Sequence, residues 1–159
     1  MILVIRNRQR VQPLDTRLLR KITTELLTEL IGVSEVELGI ALVSSREMAA
    51  VNQSYLQHEG STDVITFDHV ALPAIKGSLP RQLHGELFIC VEEAMRYAKE
   101  FRTTWQLEVV RYVVHGVLHL CGYDDLQAKL RREMKREEVR LLELLEKRFN
   151  IARLRRRKV

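Results

Sequence analysis

The sequence predicts an α+β fold, a single compact domain in which a small mixed four-stranded sheet packs with about five helices. Three observations carry that expectation. Short β-rich runs fall within the first 91 residues, and helical periodicity interrupts them and then continues almost unbroken from Val91 onward. The resulting order, β, α, β, α, β, β and then three helices, closes one small sheet and shows no internal repeat. At 159 residues the chain is most simply one domain, able to bury about 68–70% of its unfolded surface.

Taken in order, Ile2 to Ile5 reads as a short strand. Asp15 stands where an N-cap precedes a helix with apolar positions Leu18, Leu19, Ile22, Leu26, Leu27, Leu30 and Ile31, and Gly32 supplies its stop. Val36, Leu38, Ile40 and Leu42 alternate with Glu37, Gly39 and Ala41, the period of a strand. Ser44 with Glu47 forms a capping box for a helix through about Tyr55. Asp63 to Phe67 and Gly85 to Val91 read as two further strands, joined by a long loop from Asp68 to His84 that Pro73, Gly77 and Pro80 punctuate. Glu92 to Phe101 is helical. Thr103 and Gln106 then make a second capping box for a helix to about Leu120, and Asp124 or Asp125 is placed to cap a final helix over about Leu126 to Phe149. That last helix interleaves bases and acids around an apolar seam at Leu130, Met134, Leu141 and Leu145, so one face is solvated.

The net charge of +5 is unevenly spread. Lys147 to Val159 holds seven basic residues and no acid, leaving 19 basic against 21 acidic residues before it. The reading therefore separates a domain over 1–148 from a basic C-terminal tail over 149–159, which is either a solvated end or a polyanion contact. Cys90 and Cys121 sit in apolar stretches without CxxC spacing, which suits buried thiols in a reducing compartment and excludes a disulfide scaffold. Arg6, Arg8 and Arg10 follow rather than precede the apolar Ile2 to Ile5, unlike a signal peptide. The longest apolar stretches, such as Tyr112 to Leu120, are far short of the roughly 20 residues that span a bilayer. A cytoplasmic protein with no membrane partner is expected.

Chemistry concentrates in His115-Gly116-Val117-Leu118-His119-Leu120-Cys121-Gly122-Tyr123-Asp124-Asp125. Histidines at i and i+4 on a helix lie only about 40° apart around its axis, so both imidazoles can meet one metal ion. Gly122 offers a helix stop that lets Asp124 or Asp125 fold back toward the same point. Two imidazoles and a carboxylate leave one tetrahedral position open, as catalytic zinc sites do. The competing reading packs a histidine in the core and uses the aspartates as helix caps. Gly116 occupies the place of the glutamate base in the HExxH pattern of zinc peptidases, which counts against a peptidase.

In these residues the chain resembles the YbeY endoribonucleases, rRNA maturation factors with the signature H-G-x-L-H-L-x-G-Y-D-H. HGVLHLCGYDD matches every specified position but the last. Ser61 to Phe67, STDVITF, resembles the family's P-T-D-V-L-S-F, and Gly85 to Cys90, GELFIC, resembles its G-D-I-x-I-C strand. The likeness covers most of the chain from Met1 to the last helix, and the basic tail lies outside it.

The resemblance implies one zinc ion held by His115, His119 and the residue at the third-histidine position, Asp125. It implies a metal-dependent endoribonuclease domain directed at single strands, acting in small-subunit (16S) rRNA 3′-end maturation and ribosome quality control. Its partners would be ribosomal RNA and the small ribosomal subunit, together with a ribosomal protein or GTPase. His115 and Asp63 are the catalytic candidates, with His84 and Glu86 as helpers; local hydrogen bonding for Asp63 and an exposed strand position for Glu86 are the plainer alternatives. The chain departs from the family twice. An aspartate at 125 adds an anion to the ligand set and should make a bound water less acidic, and it could instead cap the last helix. Leu56 stands where the family has an arginine thought to contact RNA phosphate, and spacing does not choose among Arg46, His58, Lys76 and Arg81 as its replacement. Two other readings stay open: a zinc-dependent hydrolase of another class, and a non-catalytic ribosome-associated RNA-binding factor with a structural metal.

Overall fold

The computed structural model describes residues 1–70 and 82–157. Four strands, β1 (Ile2–Asn7), β2 (Glu35–Val43), β3 (Val64–Asp68) and β4 (Gln82–Cys90), form one mixed sheet in the order β1-β2-β4-β3. β1 and β4 run parallel to β2, and β3 runs antiparallel to β4. The α+β expectation of one four-stranded sheet with five helices holds. The long loop expected over 68–84 is shorter at both ends, because β3 reaches Asp68 and β4 starts at Gln82; its centre, with Pro73, Lys76, Gly77, Pro80 and Arg81, lies outside the described residues.

α1 (Thr16–Glu25) is capped by the Asp15 carboxylate, which accepts from the Arg17 and Leu18 amides. The chain continues as a wider π-type turn over Leu26–Ile31 and stops at Gly32, whose φ of 81° needs no Cβ to accommodate. This crossover covers one face of the sheet. α2 (Ser45–Val51) starts at Ser44, whose hydroxyl accepts from the Glu47 amide, and winds into a second π-type turn over Asn52–Leu56. It covers part of the opposite face, enclosing a small cluster of Ala41, Val43, Met48, Ile65 and Cys90. That placement explains β2, which alternates in burial through Gly39 and is continuously buried from Ile40 to Val43.

α3 (Val91–Phe101) and α4 (Trp105–Leu120) follow, and α4 is the element that positions the site. Its cap is Thr104, one residue later than the predicted Thr103: Thr104 Oγ1 accepts from the Leu107 amide, while Thr103 Oγ1 donates to the buried Glu108 carboxylate. Val109, Val113, Val117 and Leu120 are buried on this helix, which packs on β3 and β4. Two glycines permit that approach. A Cβ on Gly116 would sit 2.6 Å from Leu87 Cδ2, and one on Gly85 would sit 2.6 Å from the Phe67 carbonyl oxygen and 2.7 Å from Leu120. α5 (Ala128–Arg148) packs against α4 through Met134, Leu141, Leu142 and Leu145. Neither Asp124 nor Asp125 caps α5. Its N-cap is Gln127, without a side-chain bond, and the Asp124 carboxylate instead accepts from the Leu126 amide in the preceding turn.

Residues 149–156 stay on the domain. Ile151–Leu154 forms a 3-10 turn with Ile151 and Leu154 buried, Arg155 bridges to Leu14, and the Arg156 amide donates to the Pro13 carbonyl at 2.6 Å. Among the described residues no helix is long and apolar enough to cross a membrane.

Candidate metal centre

His115 and His119 leave the same side of α4, away from the sheet-facing Gly116, with their Nε2 atoms 3.1 Å apart. After Leu120 the helix closes through Cys121, Gly122 takes φ 96°, and the Tyr123 amide returns to the Leu118 carbonyl at 3.0 Å. The reversal brings Asp125 Oδ2 to 3.7 Å from His115 Nε2 and 3.6 Å from His119 Nε2. Arg131, from the first turn of α5, donates its Nε–H to the Asp125 carbonyl at 3.2 Å, holding the turn from its other side.

The donor set suits a metal. The Tyr123 carbonyl lies 3.1 Å from His119 Nδ1, which places the ring proton on Nδ1 and leaves the Nε2 lone pair facing His115 and Asp125. Tetrahedral coordination at about 2.0–2.1 Å requires donor atoms about 3.3–3.4 Å apart, close to the three observed separations. Burial, and after it the neighbouring His119, lowers the His115 pKa below the usual histidine value, so its imidazole is neutral at neutral pH and can act as a ligand.

Beside His115 and Asp125 opens a cavity of about 260 Å³, also lined by Asp63, Tyr112, Arg111, Arg131, Lys135 and Glu138. Three cations there face three carboxylates. Arg111 Nε donates to the fully buried Glu108 at 2.9 Å, and Lys135 Nζ lies 3.5 Å from Glu138. Burial and then Asp63 raise the Tyr112 pKa well above the ordinary phenol value, so Tyr112 is a hydrogen-bond donor and not a base. Asp63 enters the cavity while its carboxylate accepts from the Val64 amide at 2.7 Å and its carbonyl accepts from the Cys90 amide at 2.9 Å. Local hydrogen bonding and cavity lining thus coexist at this residue.

The structure brings His115, His119, Asp125 and Asp63 together; His84 and Glu86 lie elsewhere. Gly85 and Leu87 face α4, so the alternation of β4 sends residues 84 and 86 to the opposite face, where His84 approaches Glu37 at 3.7 Å and Glu86 approaches His69 at 3.1 Å. That parity was readable in the run of Leu83, Gly85, Leu87 and Ile89. Arg46 and His58 are exposed and line no part of the His115 cavity; Leu56 is 44% exposed at the end of the π-type turn. The cations that do line the cavity, Arg111, Arg131 and Lys135, were missed. Their signal is helical spacing: 111, 115 and 119 follow one another at i+4, as do 131 and 135.

Residues 4–146 match the family model described as Endoribonuclease YbeY. The chain is 37% identical over 108 residues to the Endoribonuclease YbeY of Salinibacter ruber, covering 67% of this chain and 69% of that one. It is 34% identical over 145 residues to that of Chlorobium luteolum, covering 91% and 98%. The solution structure of TM1509 from Thermotoga maritima superposes with a TM-score of 0.66 at 25% identity, over 96% of this chain and 95% of that chain. With its HGxLHLxGYD segment wrapped around a three-residue metal-capable group, and with the family model spanning nearly all of it, this chain belongs to the YbeY endoribonuclease family.

Proposed function

We propose that this protein is a zinc-dependent endoribonuclease that cuts single-stranded segments of small-subunit ribosomal RNA during 3′-end maturation and ribosome quality control in the cytoplasm. The observation that carries the reading is the convergence of His115, His119 and Asp125 at the edge of a cavity whose other polar walls are Arg111, Arg131, Lys135, Asp63 and Tyr112. The triad would hold the ion, and the ion when bound supplies Lewis-acid activation of a phosphodiester and of water. Its charge makes an otherwise balanced cavity cationic, which favours a phosphate there.

The chain's own residues do the rest. Arg111 and Lys135 are held by Glu108 and Glu138, so they present charge to a phosphate without first losing side-chain freedom. Together with Arg131 they take over the role that Leu56 cannot fill. Asp63 accepts a proton or orients a nucleophile at its carboxylate, and the protonated Tyr112 phenol donates to a phosphate or ribose oxygen. Gly116 is pressed against Leu87, so the position that carries the base of an HExxH peptidase has no room for one. Ribosomal RNA within the small subunit is the proposed substrate, with a ribosomal protein or GTPase delivering the enzyme to it.

Zinc analysis of the purified protein, combined with cleavage assays on single-stranded RNA, tests the reading. Stoichiometric zinc and RNA cleavage that disappear together in His119→Ala support it. Zinc retained with no cleavage by the intact chain favours a structural metal in an RNA-binding factor, and cleavage surviving in His119→Ala overturns the assignment.

A further inference from the structure

The segment after α5 carries Arg153, Arg155, Arg156 and Arg157 along a groove of about 810 Å³ that Pro13 and Asp15 close from the other side. All four arginines are exposed, and among the described residues no carboxylate pairs with any of them. Asp15 is in the groove, but its carboxylate already caps α1. Four guanidinium groups within five residues repel one another, and an unconstrained tail would spread them. Here the backbone is fixed. Leu154 is fully buried, Ile151 nearly so, the Asp15 amide donates to the Leu154 carbonyl at 2.8 Å, and the Arg156 amide donates to Pro13. A charge cluster held in place at the expense of its own repulsion fits a polyanion that relieves the repulsion.

Gln106, in the first turn of α4, also reaches this segment, its Nε2 lying 3.4 Å from the Ala152 carbonyl. The metal-capable triad is at the other end of the same helix. At 1.5 Å per residue, Gln106 and His119 are about 20 Å apart along the axis. The groove is therefore a separate surface and not a wall of the cleft.

We propose that the groove formed by Arg153, Arg155, Arg156 and Arg157 is a second RNA-binding surface that grips the phosphate backbone away from the cut, without reading sequence. The choice of RNA as the polyanion rests on the nuclease reading above. In such a surface the arginines act through charge, so lysines at the same positions would serve nearly as well, whereas neutral glutamines would not.

The test compares the full-length protein with a variant carrying Arg153→Gln, Arg155→Gln, Arg156→Gln and Arg157→Gln, and with a second in which the four become lysine. Deleting the segment is avoided, because it would also remove buried Ile151 and Leu154. Binding of labelled single-stranded RNA of about 30 nucleotides is measured across salt concentrations. The glutamine variant should bind at least about tenfold more weakly at low salt, with the slope of log affinity against log salt reduced by about 3, while the lysine variant stays near the parent. Zinc content and cleavage of an RNA of about 2 nucleotides, too short to reach both surfaces, should not change. Unaltered affinity and slope in the glutamine variant overturn the proposal, as does equal loss in the lysine variant or a preference for anionic phosphatidylserine vesicles over RNA. If the parent cleaves no RNA but the glutamine variant still loses RNA binding, the nuclease reading falls and the surface stands.

Discussion

On the α4 side of the sheet, His115, His119 and Asp125 bring three ligand atoms within 4.8 Å of one another. On the opposite face, two histidines and two carboxylates form two separate pairs, His69 with Glu86 and His84 with Glu37, although the two rings lie only 5.3 Å apart. The inventories are alike, and the scaffolds under them differ. One helix turn sets the spacing of His115 and His119, a backbone carbonyl fixes the His119 tautomer, and a glycine turn delivers the carboxylate. The open-face residues stand on three different strands or strand ends and are about 40–60% exposed at the side chain, so each carboxylate takes the nearest imidazole. Histidine and acid content alone does not make a metal-capable group; shared backbone geometry does.

The largest expected effect follows from that contrast. His119→Ala should abolish stoichiometric zinc and lower RNA cleavage by at least about 100-fold, because loss of a ligand exceeds the 10–100-fold cost typical of its supporting partners. His69→Ala and His84→Ala should leave zinc content unchanged and cleavage within about twofold. Metal analysis and single-turnover assays of the three variants decide it; zinc lost from His84→Ala would mean that the two faces are not independent.

A stability contrast comes next. Gly116→Ala forces a methyl group against the fully buried Leu87 and should cost about 1–3 kcal/mol in urea unfolding. On the open face, a Cβ at Gly39 meets only Glu86, 3.4 Å from its Cγ, and Gly39→Ala should stay within about 0.5 kcal/mol of the parent. Equal costs at the two glycines would show that α4 is not pressed onto β4 as described. A smaller effect is expected of Asp125→Asn, in which a neutral carboxamide oxygen replaces the anionic donor: zinc affinity should fall about tenfold, measured by chelator competition, with the fold unchanged.

How far the sequence displayed all this depends on the range of the interaction. Asp15, Ser44 and Gly32 were legible because a cap or stop is decided within four residues, and the HGVLHLCGYDD segment was legible because helix spacing alone places its histidines. Thr103 and Thr104 offer the same hydroxyl, and the choice between them turns on Glu108, buried between Thr103 and Arg111. Capping by Asp124 or Asp125 was a plausible local reading, overturned because the turn after Gly122 aims Asp125 at the imidazoles and α5 begins only at Ala128. The cavity cations require α5 to dock on α4, a contact that no window of sequence contains. The anchoring of Arg155 by Leu14 likewise joins residues at opposite ends of the chain.

The smallest expected effect separates the same two faces through their cysteines. Burial, and secondarily Asp68, pushes the Cys121 thiol up to about 12, directly behind the metal-capable turn. In the unfolded chain this thiol ionises at about 8.5, so between that pH and about 12 the unfolded state has shed a proton that the folded state keeps. Stability contributed by the protonated thiol is therefore fully present below about 8.5 and declines as pH rises through that window. The reactive thiolate is correspondingly scarce in the native protein at pH 8. Cys90, fully buried on the α2 side, lies 3.8 Å from Ser45 Oγ and 3.6 Å from Ser61 Oγ. At pH 8 both thiols should label only as fast as the protein opens. If His115, His119 and Asp125 hold zinc as proposed, the ion would tie together the turn that carries Cys121, and chelating it should accelerate Cys121 but not Cys90. Mass-spectrometric labelling with and without chelator reads the two sites separately, and identical acceleration at both would show global loosening rather than release of a local turn.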